Sequence, residues 1–468
     1  MKILFAASEA YPLIKTGGLG DVAYSLPRAL KKKGADVRVI LPAYRRVLEQ
    51  MSELRIAGWL QVQGAGRAHE VRILETGDQH LGVPLLLVDA PEYFDRPGNP
   101  YLHPDGYNWH DNAERFTLFS RAVARLSSQH ELLDWRPDVV HCHDWQTGLV
   151  APLMSLEANA PASVYTIHNL SYAGVFSHEE YARLGLPPEW WSADILEFFG
   201  NFSMLKAGVV FSDQITTVSP TYAREIQTPG FGYGFDGVFR AMAHKLTGIL
   251  NGIDLDIWNP ATDSYLPHHY SLKHRYLAGK RKNKEALLRQ MGQEPDDGML
   301  NAPLLGFIGR LVDQKGIDLL LEVIPHLLDH HDARLVVLGA GERHYEQALR
   351  ELAALYPDRL FLRLGYSEEL AHRIEAASDI FVMPSRFEPC GLNQLYSLRY
   401  GTPPVVHAVG GLADTVVDAT PENIEAGTAT GFLFHQPSPE KLLTATERAL
   451  SLYRQPEVWR RLIRTAMA

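Results

Sequence analysis

Three groups of residues have types and spacings that can do chemistry. The first surrounds Glu388, in the stretch PSRFEPCGLNQL from Pro384 to Leu395. It follows an apolar run, Ile380 to Met383, that reads as a buried strand, and it leads into a helix-like run from Asn393 to Arg399. Pro389 suits a helix start, and Gly391 allows a close backbone approach to a ligand. The first amides of such a helix have no internal partner and can hold an anion such as a phosphate. A carboxylate beside that helix end suits a site that holds a phosphate and a developing positive charge together. The same residues also fit a plain strand-turn-helix corner with a capping Glu.

The second group is GRLVDQKG, where Arg310 and Lys315 stand five residues apart at a strand-to-helix turn. Arg offers a bidentate fork and Lys a point charge, a pair suited to a diphosphate and also consistent with ordinary surface charge. The third group is a set of strand ends. His141-Cys142-His143-Asp144-Trp145 has metal-ligand residue types. Consecutive side chains alternate faces on a strand, and zinc pairs are usually spaced more widely, so no metal is expected there. Asp144 suits sugar hydroxyls and Trp145 the apolar face of a sugar. Thr166-Ile167-His168-Asn169 ends another strand. A lone His is often structural, but the matching position of His168 favours function.

Weaker signals lie elsewhere. Lys15-Thr16-Gly17-Gly18-Leu19-Gly20-Asp21 formally matches a dinucleotide fingerprint through Gly18, Gly20 and Ala23. The glycines stand about ten residues after the strand rather than directly behind it, and no acidic residue closes the second strand. The segment reads instead as a glycine-rich loop carrying one cation, Lys15, at a helix start, or as a plain connection. Tyr366 follows a strand and could stack a nucleobase or fill a core. Gly410-Gly411 suits a loop facing a phosphate or a sugar.

These residues need a scaffold. Ile3 to Ala7, Val37 to Leu41, Leu85 to Val88, Val139 to His141, Ser163 to Ile167 and Gln214 to Val218 read as strands. Helices are expected over Val22 to Lys33, over Asn112 to Ser127 and from about Gly148. A second series follows, with strands Leu304 to Ile308, Leu335 to Leu338, Leu360 to Leu364, Ile380 to Met383 and Pro404 to Val406. Leu246 to Leu250 reads as a connecting strand, Lys280 to Met291 as a basic polar helix and Pro295 to Pro303 as loop, so this region reads as a linker. The fold class is therefore α/β, with two doubly wound halves, 1–245 and 246–468. Ligands of open α/β sheets bind at the carboxyl ends of the strands, and two such sheets facing each other would place a substrate in a central cleft.

Composition narrows the function. The chain has 468 residues, 46% hydrophobic and 21% charged, with a formal net charge of −10. That balance argues against a nucleic-acid partner. Two cysteines, Cys142 and Cys390, imply no disulfide framework and a reducing compartment. The opening MKILFAASEAYP is interrupted by Ser8 and Glu9, so no signal peptide and no membrane partner are expected, and the cytoplasm is the expected location.

Taken in order, KTGGLGDV, HCHDWQTGL, TIHNL, TVSPTYAREI, LNGID, GRLVDQKG, PSRFEPCGLNQLYSLRYGT and GGLADTV resemble the bacterial glycogen synthases and plant starch synthases. The resemblance spans Met1 to about Trp459. It implies two Rossmann-like domains in the GT-B architecture, and retaining transfer of glucose from ADP-glucose to an α-1,4-glucan, with no metal and no cofactor. On the matching positions, it implies that Arg310 and Lys315 neutralise the diphosphate and that Glu388 stabilises the oxocarbenium-like state. Asp144 and His168 hold the glucose and the acceptor side. Lys15, Gly17, Gly18, Tyr366, Gly391, Leu392 and Gln394 contact the donor, while Asp21, Trp145 and Asn169 serve sugar and acceptor. Glycogen rather than starch follows from the lack of a transit peptide.

Some positions depart from the pattern. Many related retaining transferases carry a second Glu eight residues after the first; here, as in the glycogen and starch branch, that position is Tyr396. His407 and Ala408 stand where the family more often has Arg or polar residues. The family usually continues beyond Ala468 with an aromatic helix that packs on the first domain, so weaker domain coupling is expected. A non-catalytic glucan-binding protein would not need Lys15, Arg310, Lys315 and Glu388 together. A pyridoxal-phosphate phosphorylase of the same architecture would need a Schiff-base lysine buried in the second half, and the only Lys after Lys315 is Lys441, which reads as a surface helix residue.

Overall fold

The computed structural model describes residues 1–64, 66–77, 79–128, 132–274 and 276–468. The chain forms two compact units, Met1–Ile249 and Leu250–Ala468. The first contains β1 (Lys2–Ala6), β2 (Asp36–Pro42), β3 (Arg55–Gln63), β4 (Ala68–Thr76), β5 (Leu85–Asp89), β6 (Val139–His143) and β7 (Ala162–Ile167). A small antiparallel sheet follows, made of β8 (Val175–Ser177), β9 (Glu197–Phe198) and β10 (Asn201–Ser203). β11 (Gln214–Thr217) and β12 (Leu246–Gly248) complete the unit.

The main sheet runs β12-β11-β7-β6-β1-β2-β5-β4-β3. From β12 to β5 every neighbour is parallel. Parallel strands are covered on both faces, so they read as unbroken apolar runs; β5, LLLVD, is buried along its whole length. The order reverses around β1, which lies between β2 and β6. The loop after β1 and the end of β6 therefore sit at a switch point, where open α/β sheets bind ligands.

The second unit contains β13 (Leu304–Ile308), β14 (Arg334–Gly339), β15 (Leu360–Leu364), β16 (Ile380–Met383), β17 (Pro404–His407) and β18 (Phe432–Phe434). They form one parallel sheet in the order β15-β14-β13-β16-β17-β18. This is the doubly wound order, with its switch point between β13 and β16. GRLVDQKG follows β13 and PSRFEPCGLNQL follows β16, so the two loops meet at that point.

The structure corrects the sequence reading in three places. The hairpin β3–β4 pairs antiparallel to the edge of the first sheet; its alternating burial marks a half-solvated strand pair that a search for apolar runs passes over. Leu246–Gly248 joins the first sheet beside β11, so the first unit extends beyond 245. The stretch read as a linker lies in the second unit, as the 246–468 half has it, but its local structure differs. A helix, Asp297–Asn301, sits inside the expected loop, capped by Asp296, which accepts from the Met299 amide at 2.7 Å. In the polar helix Tyr276–Gln290, Lys280 is buried and donates to Ala376 O, Tyr400 O and Thr402 Oγ1. Lys284 is also buried and pairs with Asp379 at 2.7 Å. Those lysines face inward because carbonyls and a carboxylate receive them, which helix periodicity cannot show.

Candidate active site

In the second unit, Glu388 lies in the loop after β16, and its side chain is 9% exposed. Lys315 Nζ approaches its Oε2 at 2.6 Å, and Ser385 Oγ donates to the same oxygen at 2.9 Å. Arg310 is exposed and donates to Gln314 Oε1 at 3.0 Å. Gln314 in turn donates to Phe387 O at 3.2 Å and accepts the Arg386 amide on its own carbonyl at 2.8 Å. The cationic loop and the carboxylate loop are therefore stitched together.

Two glycines make that approach possible. Gly316 has φ +68, and a Cβ there would fall 2.2 Å from Pro384 O. Gly410 has φ +47, and its Cβ would fall 1.9 Å from Glu388 O. Only glycine fits both the left-handed backbone and the contact. His407, at the end of β17, is buried and bonds Ser385 O through Nδ1 at 2.9 Å. It supports the residue that orients Glu388. Tyr396 is buried and stacks on Trp258, with ring centroids 3.6 Å apart.

Not every expected donor residue reaches the surface. Gln394 is fully buried and donates to Cys390 O, Gly391 O and Thr415 Oγ1. It braces the loop from beneath, which corrects its expected role as a ligand contact. Gly391 and Leu392 are half-buried at the start of the helix Asn393–Arg399. Tyr366 is 70% exposed beyond β15, so the core reading does not hold. Lys441 is exposed on the helix Pro439–Tyr453.

In the first unit, the glycine-rich loop starts the helix Gly18–Lys32, with Gly17 as its cap. The helix begins earlier than expected because Gly18 and Gly20 lie inside it. Lys15, Gly17 and Gly18 are exposed, and Lys15 pairs with Asp21 at 2.8 Å. The loop is held by a residue the sequence reading missed. Glu9 is buried, and it accepts the Thr16 hydroxyl at 2.6 Å, the Thr16 amide at 2.5 Å and the Gly17 amide at 3.3 Å. Tyr101 donates to it as well. Glu9 is the residue that interrupts the apolar opening, which was its signal.

Asp144 has φ +58, an uncommon conformation for a residue with a side chain and a form of strain found at functional sites. Its Oδ1 accepts the His168 amide at 2.7 Å. Burial pushes its carboxyl up to about 7, against the pull of the His168 and Asn169 amides. His168 Nε2 bonds His143 Nδ1 at 2.9 Å. Burial, reinforced by His141, holds the His168 ring down at about 3, so it is neutral at physiological pH. His143 is fully buried and stacks on Phe5 with centroids 4.0 Å apart. It fixes the orientation of His168. Alternation along β6 puts His141 and His143 on one face, so the pair was visible in the pattern HCH.

Asn169 is half-buried, and its Oδ1 accepts from the amide and hydroxyl of Ser171. Trp145 corrects a second expectation. It is buried at 9% exposure, packs on Phe116 with centroids 5.0 Å apart and lies against Gly174. It is a core residue rather than a sugar platform.

Comparison with known proteins identifies the family. The family described as starch synthase catalytic domain matches residues 2–241, and glycosyl transferases group 1 matches 297–466. A glycogen synthase of Hydrogenovibrio crunogenus is 50% identical over 100% of this chain and 96% of its own. One from Cellvibrio japonicus is 53% identical over 99% and 95%. The chain belongs to the glycogen and starch synthases. It is accordingly a glycosyltransferase, with two α/β domains of the GT-B type. The catalytic domain of starch synthase IV from Arabidopsis thaliana, bound to ADP and acarbose, is 34% identical, with a TM-score of 0.88, over 100% of this chain and 95% of that one. Among the described residues, no helix is long and apolar enough to cross a membrane.

Proposed function

We propose that the chain transfers glucose from ADP-glucose to the non-reducing 4-hydroxyl of an α-1,4-glucan, in the cytoplasm, with retention of configuration. The observation that carries this reading is the Lys315–Glu388 pair, held at a sheet switch point beside Arg310. The relative from Arabidopsis bound to ADP supports the nucleotide, and the glycogen synthases at about half identity support the glucan.

In this reading, Arg310 and Lys315 neutralise the diphosphate as the bond from the anomeric carbon to its oxygen breaks. Fixed cations of this kind stabilise leaving-group charge without a metal. Lys315 exchanges part of its contact with Glu388 for the phosphate. Glu388, steadied by Ser385, then faces the sugar as it gains positive charge. No second carboxylate stands eight residues on, where Tyr396 is stacked on Trp258. A two-carboxylate route is therefore unsupported. The acceptor 4-hydroxyl attacks on the face the phosphate leaves, and its proton passes to the departing phosphate oxygen. Tyr366 stacks the adenine, while Gly391 and Leu392 line the donor. In the first unit, Lys15, Gly17 and Gly18 serve the donor's phosphate and sugar. Asp144, His168, Asn169 and Asp21 serve the sugar hydroxyls.

Initial rates with ADP-glucose and UDP-glucose, measured side by side on glycogen, test the nucleotide. Faster transfer from ADP-glucose is expected, and a preference for UDP-glucose would overturn it.

A further inference from the structure

A second cluster of ligand-type side chains lies on the second unit, away from the residues above. His326 is on the helix Ile317–His330, His331 caps that helix, and Glu447 is on the helix Pro439–Tyr453. His326 Nε2 lies 3.2 Å from Glu447 Oε1, and His331 Nε2 lies 3.1 Å from the same oxygen. The three ligand atoms all fall within 4.8 Å of one another.

We propose that His326, His331 and Glu447 bind one divalent transition-metal ion of the zinc class, which ties the two helices together. A tetrahedral zinc ion with bonds of roughly 2.0–2.1 Å sets its ligand atoms about 3.3 Å apart. The two nitrogen-to-oxygen distances are close to that spacing, so a small shift admits the ion. Glu447 presents one carboxylate oxygen to both imidazoles, so all three side chains converge on one point. Two imidazoles and one carboxylate suit zinc, nickel, cobalt or copper rather than magnesium or calcium. His326 also stacks on His330, with centroids 4.4 Å apart, which limits its rotation.

The arrangement also bounds the affinity. Side chains 42%, 17% and 38% exposed leave a coordination position open to water. Ligation through Nε2 puts the His331 proton on Nδ1, which is buried and has no partner among the described residues. Binding is therefore weaker than in closed structural sites. The helix Ile317–His330 has 14 residues, so its far end is about 21 Å from the Lys315 loop. The ion braces this unit and takes no part in transfer.

The test is calorimetric titration of zinc into the full, tag-free chain after EDTA treatment, with thermal unfolding measured in parallel. One saturable equivalent is expected, with a higher unfolding midpoint and no comparable response to magnesium. Glu447→Gln and His331→Gln should each weaken binding by more than about tenfold and abolish the midpoint shift. Unfolding without metal checks each variant, and His326→Gln replaces one that folds poorly. The chain has 20 histidines, so binding that persists unchanged in these variants would place the ion elsewhere and overturn the proposal. Absence of saturable binding up to millimolar zinc would do the same.

Discussion

Lys315 Nζ lies 2.6 Å from Oε2 of Glu388, the oxygen to which Ser385 donates at 2.9 Å. One cation and one carboxylate thus neutralise each other. Replacing Glu388 with Gln keeps the shape but removes the charge that the proposed mechanism sets against the developing cation. Turnover should fall on the order of 10²–10³-fold, the usual cost of losing one electrostatic contact to a transition state. ADP affinity, measured by calorimetry, should stay near that of the parent. Turnover like the parent's would remove Glu388 from the mechanism.

Lys315→Met should act on two quantities. It removes the ammonium that the proposed mechanism sets against the leaving diphosphate, and it leaves the Glu388 carboxylate, 9% exposed, without its ammonium. ADP binding should weaken, and unfolding should become easier by about 1–3 kcal/mol, the range for a buried polar group losing its partner. The double variant Lys315→Met/Glu388→Gln should recover much of the stability and none of the activity. Additive losses of stability would show that the pair is not coupled.

Gly410→Ala tests the packing that presents Glu388. The added methyl would meet Glu388 O at 1.9 Å on a backbone at φ +47. The loop must shift, so both the unfolding midpoint and turnover should drop. Gly427 also has a left-handed φ, +69, but open space around its Cβ. Gly427→Ala should therefore cost stability and spare turnover. Equal loss of turnover in both variants would contradict the specific role of the Gly410 contact.

Asp144 makes a pH prediction. Its carboxyl rises from an ordinary 3.8 to about 7, chiefly through burial. The folded state therefore holds this proton more tightly than the unfolded chain does. The stabilising contribution is fully present below 3.8 and is lost as pH rises through about 7. Asp144→Asn keeps the oxygen that accepts the His168 amide and cannot ionise. Relative to the parent, the variant's unfolding midpoint should improve more at pH 8 than at pH 5. A difference that does not change with pH would contradict this.

Metal-free chemistry is tested by chelation. EDTA should leave the rate of glucosyl transfer nearly unchanged, even as it strips zinc from His326, His331 and Glu447. Strong inhibition reversed by magnesium would contradict the assignment of leaving-group charge to Arg310 and Lys315.

Much of this was legible in the residues. Apolar runs placed β13, β15 and β16 with their observed bounds, because buried parallel strands leave an unambiguous pattern. Glu388, Arg310 and Lys315 stood out because charged residues in loops directly after strands lie where open α/β sheets bind ligands. What stayed hidden depends on neighbours remote in sequence. Trp145 is closed in by Phe116 and Gly174, and Gln394 is turned inward to Thr415. No local pattern separates a covered Trp from an open one. Glu9 and His143 left a local trace, but their roles depend on what they hold, here the Thr16 amide and His168.

The central claim is glucosyl transfer to a glucan. Its most direct measurement is the incorporation of label from radiolabelled ADP-glucose into glycogen by micromolar enzyme, followed by release of the label from non-reducing chain ends by an exo-acting amylase. Steady incorporation is expected, with the label released as the α-1,4-linked product. If no label entered polymer while glycogen still bound the protein, the chain would be a glucan-binding protein and the account would fail.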